Sequence, residues 1–129
     1  MNIYEVGKLT LPGIKTPEDL KERLFAIYCV DTACPNYRAK WSADNPTCGQ
    51  CVPTAILVQK LFGGDIYKLE SADHYYNIID GEIIDLTKEQ FDIEGIKLNY
   101  NLGQKKVGEF DTETLNRYKK LLSKLFVNL

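Results

Sequence analysis

The sequence has no run of about 18 apolar residues, so no helix is expected to span a membrane. It has no excess of basic charge. The net charge is -2, which offers nothing to nucleic acid or to an anionic lipid surface. The opening M-N-I-Y-E-V-G-K-L-T lacks the charged and then apolar segments of a secretory signal, so a cytoplasmic location is expected. There is no internal repeat and no low-complexity tract. Histidine is nearly missing. His74 stands alone, so imidazole chemistry has a single candidate.

What is present fits one domain over residues 1–129. An apolar fraction of 44% can build a core without cross-links. The four cysteines are therefore expected to be reduced, with no disulfide assigned.

The first ten residues suit a short strand or a loose arm. Thr16-Pro17-Glu18-Asp19 then reads as a helix start, with a capping threonine, an early proline and acids at the positive end. Leu20, Leu24, Ile27 and Tyr28 continue at helical spacing, which predicts a helix near 17–30. Residues 31–50 read as a long loop, a feature often tied to function. A second helix should begin at Cys51, tolerate Pro53 in its first turn and stop at Gly63-Gly64. Its residues are apolar nearly all round, so it should be buried. Residues 74–87 read as a hairpin turning at Asp80-Gly81, and residues 112–127 as a last helix. Leu115, Tyr118, Leu122 and Leu125 share one face of that helix. The fold class expected is α+β, a Cys-bearing buried helix packed on a small antiparallel sheet.

The segment P-T-C-G-Q-C-V-P-T admits three chemistries. Zinc could use Cys29, Cys34, Cys48 and Cys51 as two close pairs. However, Cys29 falls inside the predicted first helix, and no knuckle glycine lies near Cys34, so no metal is expected. A dithiol pair of Cys48 and Cys51 has suitable spacing, but a Pro- and Asn-rich loop leads into it where a strand is usual. A nucleophile at Cys51 needs a base, and His74 opens a predicted strand soon after.

A third group should orient the imidazole, and hairpin parity selects it. With a two-residue turn, Ile79 pairs with Glu82, Tyr76 faces Asp85 and His74 faces Thr87. His74 and Asp85 then share a face as diagonal neighbours, about 7–8 Å apart at the backbone. Asp80 is about 20 Å along the strand, and Asp73 points to the opposite face. A three-residue loop would reverse the parity. Each residue also has a plainer role. Cys51 could be a small buried residue, and Asp85 could cap the turn at Leu86-Thr87.

These residues resemble the papain-like and transglutaminase-like cysteine enzymes. There a G-Q-C type segment opens a buried helix, a strand begins H-x-W-N, and a second strand ends D-P-T. Here the pieces are G-Q-C at 49–51, H-Y-Y-N at 74–77 and D-L-T at 85–87. Tyr76 replaces the usual tryptophan and Leu86 the proline. More closely, the chain resembles the YunG-like group of small uncharacterised bacterial proteins. The similar pieces are W-S at 41–42, N-P-T-C-G-Q-C at 45–51, F-G-G-D-I at 62–66, H-Y-Y-N, D-L-T-K-E-Q-F at 85–91 and T-L-N-R-Y at 114–118. That resemblance implies that the Cys48 position is not regularly cysteine, leaving Cys51 as the thiol that matters.

The expected mechanism is acyl transfer through a thioester, by hydrolysis, deamidation or transglutamination. Cys51 is the nucleophile, favoured by its helix end and a nearby imidazolium. His74 moves the proton and Asp85 fixes the ring. The Cys51 backbone N–H can serve a developing oxyanion, with Gln50 or Trp41 as a second donor and Tyr75 and Tyr76 beside the cleft. No cofactor is implied. The partner expected is a peptide, protein or small acyl substrate. The competing classes are an inert binding module of the same fold and a Cys48–Cys51 redox protein.

Overall fold

A computed structural model describes residues 9–101 and 103–129. Most of the expected N-terminal arm, residues 1–8, lies outside them. The first helix, α1, spans Pro17–Phe25. Thr16 caps it by accepting the Asp19 N–H at 3.1 Å, and the Asp19 carboxylate accepts the Thr16 N–H in return. The helix ends earlier than its apolar spacing predicts. The N–H groups of Ile27 and Tyr28 both turn back to the Leu24 carbonyl. The Cys29 carbonyl is then taken by two side chains, the Thr32 hydroxyl at 3.0 Å and the Gln50 amide at 2.9 Å. Cys29 therefore lies in a connector, not in the helix.

Helix α2 spans Cys51–Phe62, with both ends where the sequence predicts them. Its residues 53–61 are all buried. On one side Leu57, Val58 and Leu61 pack with Leu20 and Leu24 of α1. The last helix, α4, spans Thr112–Val127 and closes that side with Leu121 and Leu125. Its fully buried face includes Leu121, while Tyr118 and Leu122 are only partly covered. On the other side Ala55 and Ile56 pack against Ile66 and Leu115.

Ile66 belongs to a four-stranded antiparallel sheet. Strands β1 (Asp65–Leu69), β2 (His74–Ile79), β3 (Glu82–Ile84) and β4 (Gln104–Val107) lie in the order β3-β2-β1-β4. A short helix, α3 (Glu89–Ile93), follows β3. The class is mixed α+β, with α2 between two helices and the sheet. Among the described residues, no helix is long and apolar enough to cross a membrane.

The hairpin has the expected register. Ile79 pairs with Glu82 and Asn77 with Ile84. Asp80 and Gly81 take φ values of 51° and 79°, the two positive angles of a type I′ turn. Asn77 ties the sheet to the helix, donating from its amide to the Ala55 carbonyl at 2.9 Å.

Candidate functional site

Cys51 is the first residue of α2 and His74 the first residue of β2. Asp85 is the first residue after β3. Element ends converge here because the Asn77 amide holds the second turn of α2 against the middle of β2. The loop before Cys51 is held as firmly. The Gly49 carbonyl accepts the Cys34 N–H at 2.8 Å, and the Gly49 N–H donates to the Gln90 side chain at 3.2 Å. Gly49 has φ +72°, and a Cβ there would meet Cys34 N at 3.1 Å and Ala33 Cβ at 3.2 Å. No larger residue fits without a shift.

The His74 ring is fully buried, and its Nε2 lies 2.7 Å from Asp85 Oδ2. Asp85 is the partner that hairpin parity selects. The other two carboxylates stand elsewhere: Asp80 in the turn, and Asp73 paired with Lys68 at 3.2 Å. Asp85 also fills its plainer role, since its Oδ1 accepts the Thr87 N–H at 3.3 Å. A further donor completes the carboxylate. The Tyr100 hydroxyl gives a 2.7 Å hydrogen bond to the same Oδ2 that holds His74. Phe91 sets its ring edge-on to the imidazole at 4.7 Å, and Tyr76 stacks at 6.4 Å.

The second ring nitrogen, Nδ1, is buried and has no hydrogen-bond partner of regular geometry. With Nε2 taken by Asp85, it is the nitrogen left for the Cys51 side chain, which acts on the imidazole's ionisation. Burial by itself disfavours the charged ring. The hydrogen bond to Asp85 and the interaction with Cys51 outweigh it and raise the His74 pKa from 6.5 to about 9. Burial and the bond to Asp85 both push the Tyr100 hydroxyl well above its ordinary range, so it stays a donor.

A cleft of about 270 Å³ opens over this cluster. Cys34, Cys48, Cys51, His74, Tyr75 and Phe91 line it. A larger hollow of about 590 Å³ lies along residues 97–101, but it carries no cysteine or histidine and is open to solvent. Among the described residues, no group of three or more His, Cys, Asp or Glu is arranged to hold a metal ion.

Three of the sequence-selected side chains are placed away from the expected roles. The Gln50 side chain is fully buried outside the cleft lining, its Nε2 donating to the Cys29 carbonyl and its Oε1 accepting from Thr32. The Trp41 indole N–H donates to the Pro46 carbonyl at 3.0 Å, and its ring stays out of the cleft. Tyr76 is only 1% exposed and packs behind His74, between Tyr67 and Tyr100. Its neighbour Tyr75 is the tyrosine that faces the cleft. The loop residues lost their roles because the 31–50 segment folds back on itself, which spacing alone does not reveal. Tyr100 was missed for a different reason: it lies in a stretch with no periodicity. Gln90 and Phe91 lie in the T-K-E-Q-F segment, whose sequence carries no signal for their places at the cleft.

The chain matches the family model described as YunG protein over residues 16–129. It is 46% identical over 55 residues to "Uncharacterized protein YunG" of Bacillus subtilis (strain 168). That similarity covers 41% of this chain and 48% of the relative, so the match spans about half the length of the curated protein. No solved structure matches.

Proposed function

The chain belongs to the YunG family, and we propose that it is a thiol-dependent acyl-transfer enzyme with a papain-like or transglutaminase-like core. The observation that carries this reading is the pairing of His74 with buried Asp85 at 2.7 Å, with its free nitrogen left for Cys51 at a helix start. A buried histidine in a packing role needs an acceptor for one ring nitrogen, but not a second nitrogen left toward a cysteine at a helix start.

In this reading Cys51 Sγ attacks the acyl carbon of an amide or ester. The Cys51 backbone N–H, in a helical turn that offers it no acceptor, faces the developing oxyanion. His74 gives its proton to the leaving group as the tetrahedral intermediate collapses to a thioester. Water or an amine then attacks the thioester, His74 takes the acceptor's proton, and Cys51 is released. Asp85 keeps the ring oriented throughout, and Tyr100 and Thr87 keep Asp85 oriented. The acceptor decides between hydrolysis and transglutamination.

The test is alkylation by iodoacetamide as a function of pH, with the modified cysteine identified by mass spectrometry. Cys51 is expected to react selectively near about pH 6, and the His74→Ala variant to lose that selectivity. Equal, slow reaction of Cys51 in both proteins overturns the enzyme reading in favour of an inert binding module.

A further inference from the structure

The acyl-transfer reading uses one thiol, yet three of the four cysteines line the same cleft. Their settings differ. Cys51 is half-buried at the cleft floor, whereas Cys48 is 3% exposed. Cys34 sits on a separate segment, its backbone fixed to Gly49. Cys48 is three residues from Cys51 along the chain, across the Gly49-Gln50 bend, and the two thiols feel each other electrostatically. The C-x-x-C spacing, with its second cysteine opening α2, is the one that dithiol redox motifs use.

We propose that Cys51 and Cys48 form an oxidation site for hydrogen peroxide, in which Cys51 is oxidised first and Cys48 closes a reversible disulfide onto it. The inference rests on the same reactive Cys51 as the acyl-transfer reading. In the first step the Cys51 sulfur attacks one peroxide oxygen. The O–O bond breaks, the sulfur loses two electrons and becomes a sulfenic acid, and the other oxygen leaves as water after taking the Cys51 proton. In the second step the Cys48 sulfur attacks the Cys51 sulfur. An S–S bond forms, the S–O bond breaks, and the departing hydroxide takes the Cys48 proton as a second water.

The order follows from the surroundings. Burial, aided by the Glu94 carboxylate, pushes the Cys48 pKa up, so Cys48 waits as a protonated, shielded thiol. Cys51 stands beside a charged imidazole at the open cleft. The disulfide blocks the nucleophile and spares it from irreversible oxidation, and a dithiol reductant restores it.

The experiment treats the full chain with stoichiometric hydrogen peroxide and measures its mass before and after dithiothreitol. Trypsin places Cys48 and Cys51 together in residues 41–60, and Cys29 and Cys34 in residues 24–38. The expected result is a reversible loss of about 2 Da within residues 41–60. Cys48→Ser is expected to lack that species and to stop at a sulfenic acid on Cys51, which a second equivalent of peroxide carries to a sulfinic acid, a gain of about 32 Da that dithiothreitol does not reverse. A linkage between the two peptides, or sulfinic acid at Cys51 in wild type, overturns the pairing. A second, unoxidised aliquot alkylated in parallel separates the two readings. Selective Cys51 alkylation without the disulfide overturns this inference alone, whereas absence of selective alkylation overturns the acyl-transfer reading beneath it.

Discussion

Asp85 Oδ2 accepts from two donors at equal distance, His74 and Tyr100, both 2.7 Å away. Because the chain has one histidine, ring resonances in an NMR titration report on His74 alone. Its midpoint is expected near 9, against 6.5 for a free ring. Asp85→Asn removes the charge that overcomes burial, and the midpoint should fall by about one unit or more. Tyr100→Phe keeps the ring that packs on Tyr76 but leaves His74 as the sole donor to that oxygen. The midpoint should then rise, and an unmoved midpoint would count against the shared oxygen. The same shift sets a stability profile. The folded pKa lies above the unfolded one, so the contribution is complete below pH 6.5 and is lost as pH rises through about 9. Thermal melts across that window should show wild type losing stability and Asp85→Asn losing less.

Both Cys51 and His74 begin an element, so the site depends on how α2 and β2 are joined. Asn77→Ala removes the side-chain donor that ties the Ala55 carbonyl to the sheet and should cost about 1–3 kcal/mol in denaturant unfolding. Alkylation of Cys51 should slow in the same variant, because the helix start is no longer fixed against the strand that carries the base. Gly49→Ala adds left-handed strain of about 1–2 kcal/mol to a backbone clash and should also slow it. Much at this scale was legible in the sequence. Gly63-Gly64, Asp80-Gly81 and the Thr16 cap mark ends through local chemistry, and local chemistry can be read from a string. The end of α1 was not legible, because the connector after it is held by a partner distant in sequence, Gln50, whose amide donates to the Cys29 carbonyl. Nor were α3 and β4. The first is a single short turn, and the second is a largely exposed edge whose Q-K-K-V carries no alternation. Asp85 could be found because hairpin parity is arithmetic. Tyr100 could not, because a loop brings it back to Asp85.

The whole molecule is organised around α2, which is buried nearly all round and shared by both core clusters. Leu57 is fully buried where α1, α2 and α4 meet. Leu57→Ala should cost about 2–5 kcal/mol, read as a shifted midpoint in denaturant unfolding with an unchanged slope. The Lys21–Glu89 ion pair joins α1 to α3 but is about a third exposed, so Lys21→Ala should move that midpoint far less. The exposed Asp80-Gly81 tip has a consequence for the chain as a whole. A nick there would put the thiol and the imidazole in one fragment, and the carboxylate, Tyr100 and the helix that covers Leu57 in the other. Neither piece would hold a complete site. The chemical shift of one imidazole would then report the reassembly of two halves, making the protein its own complementation sensor.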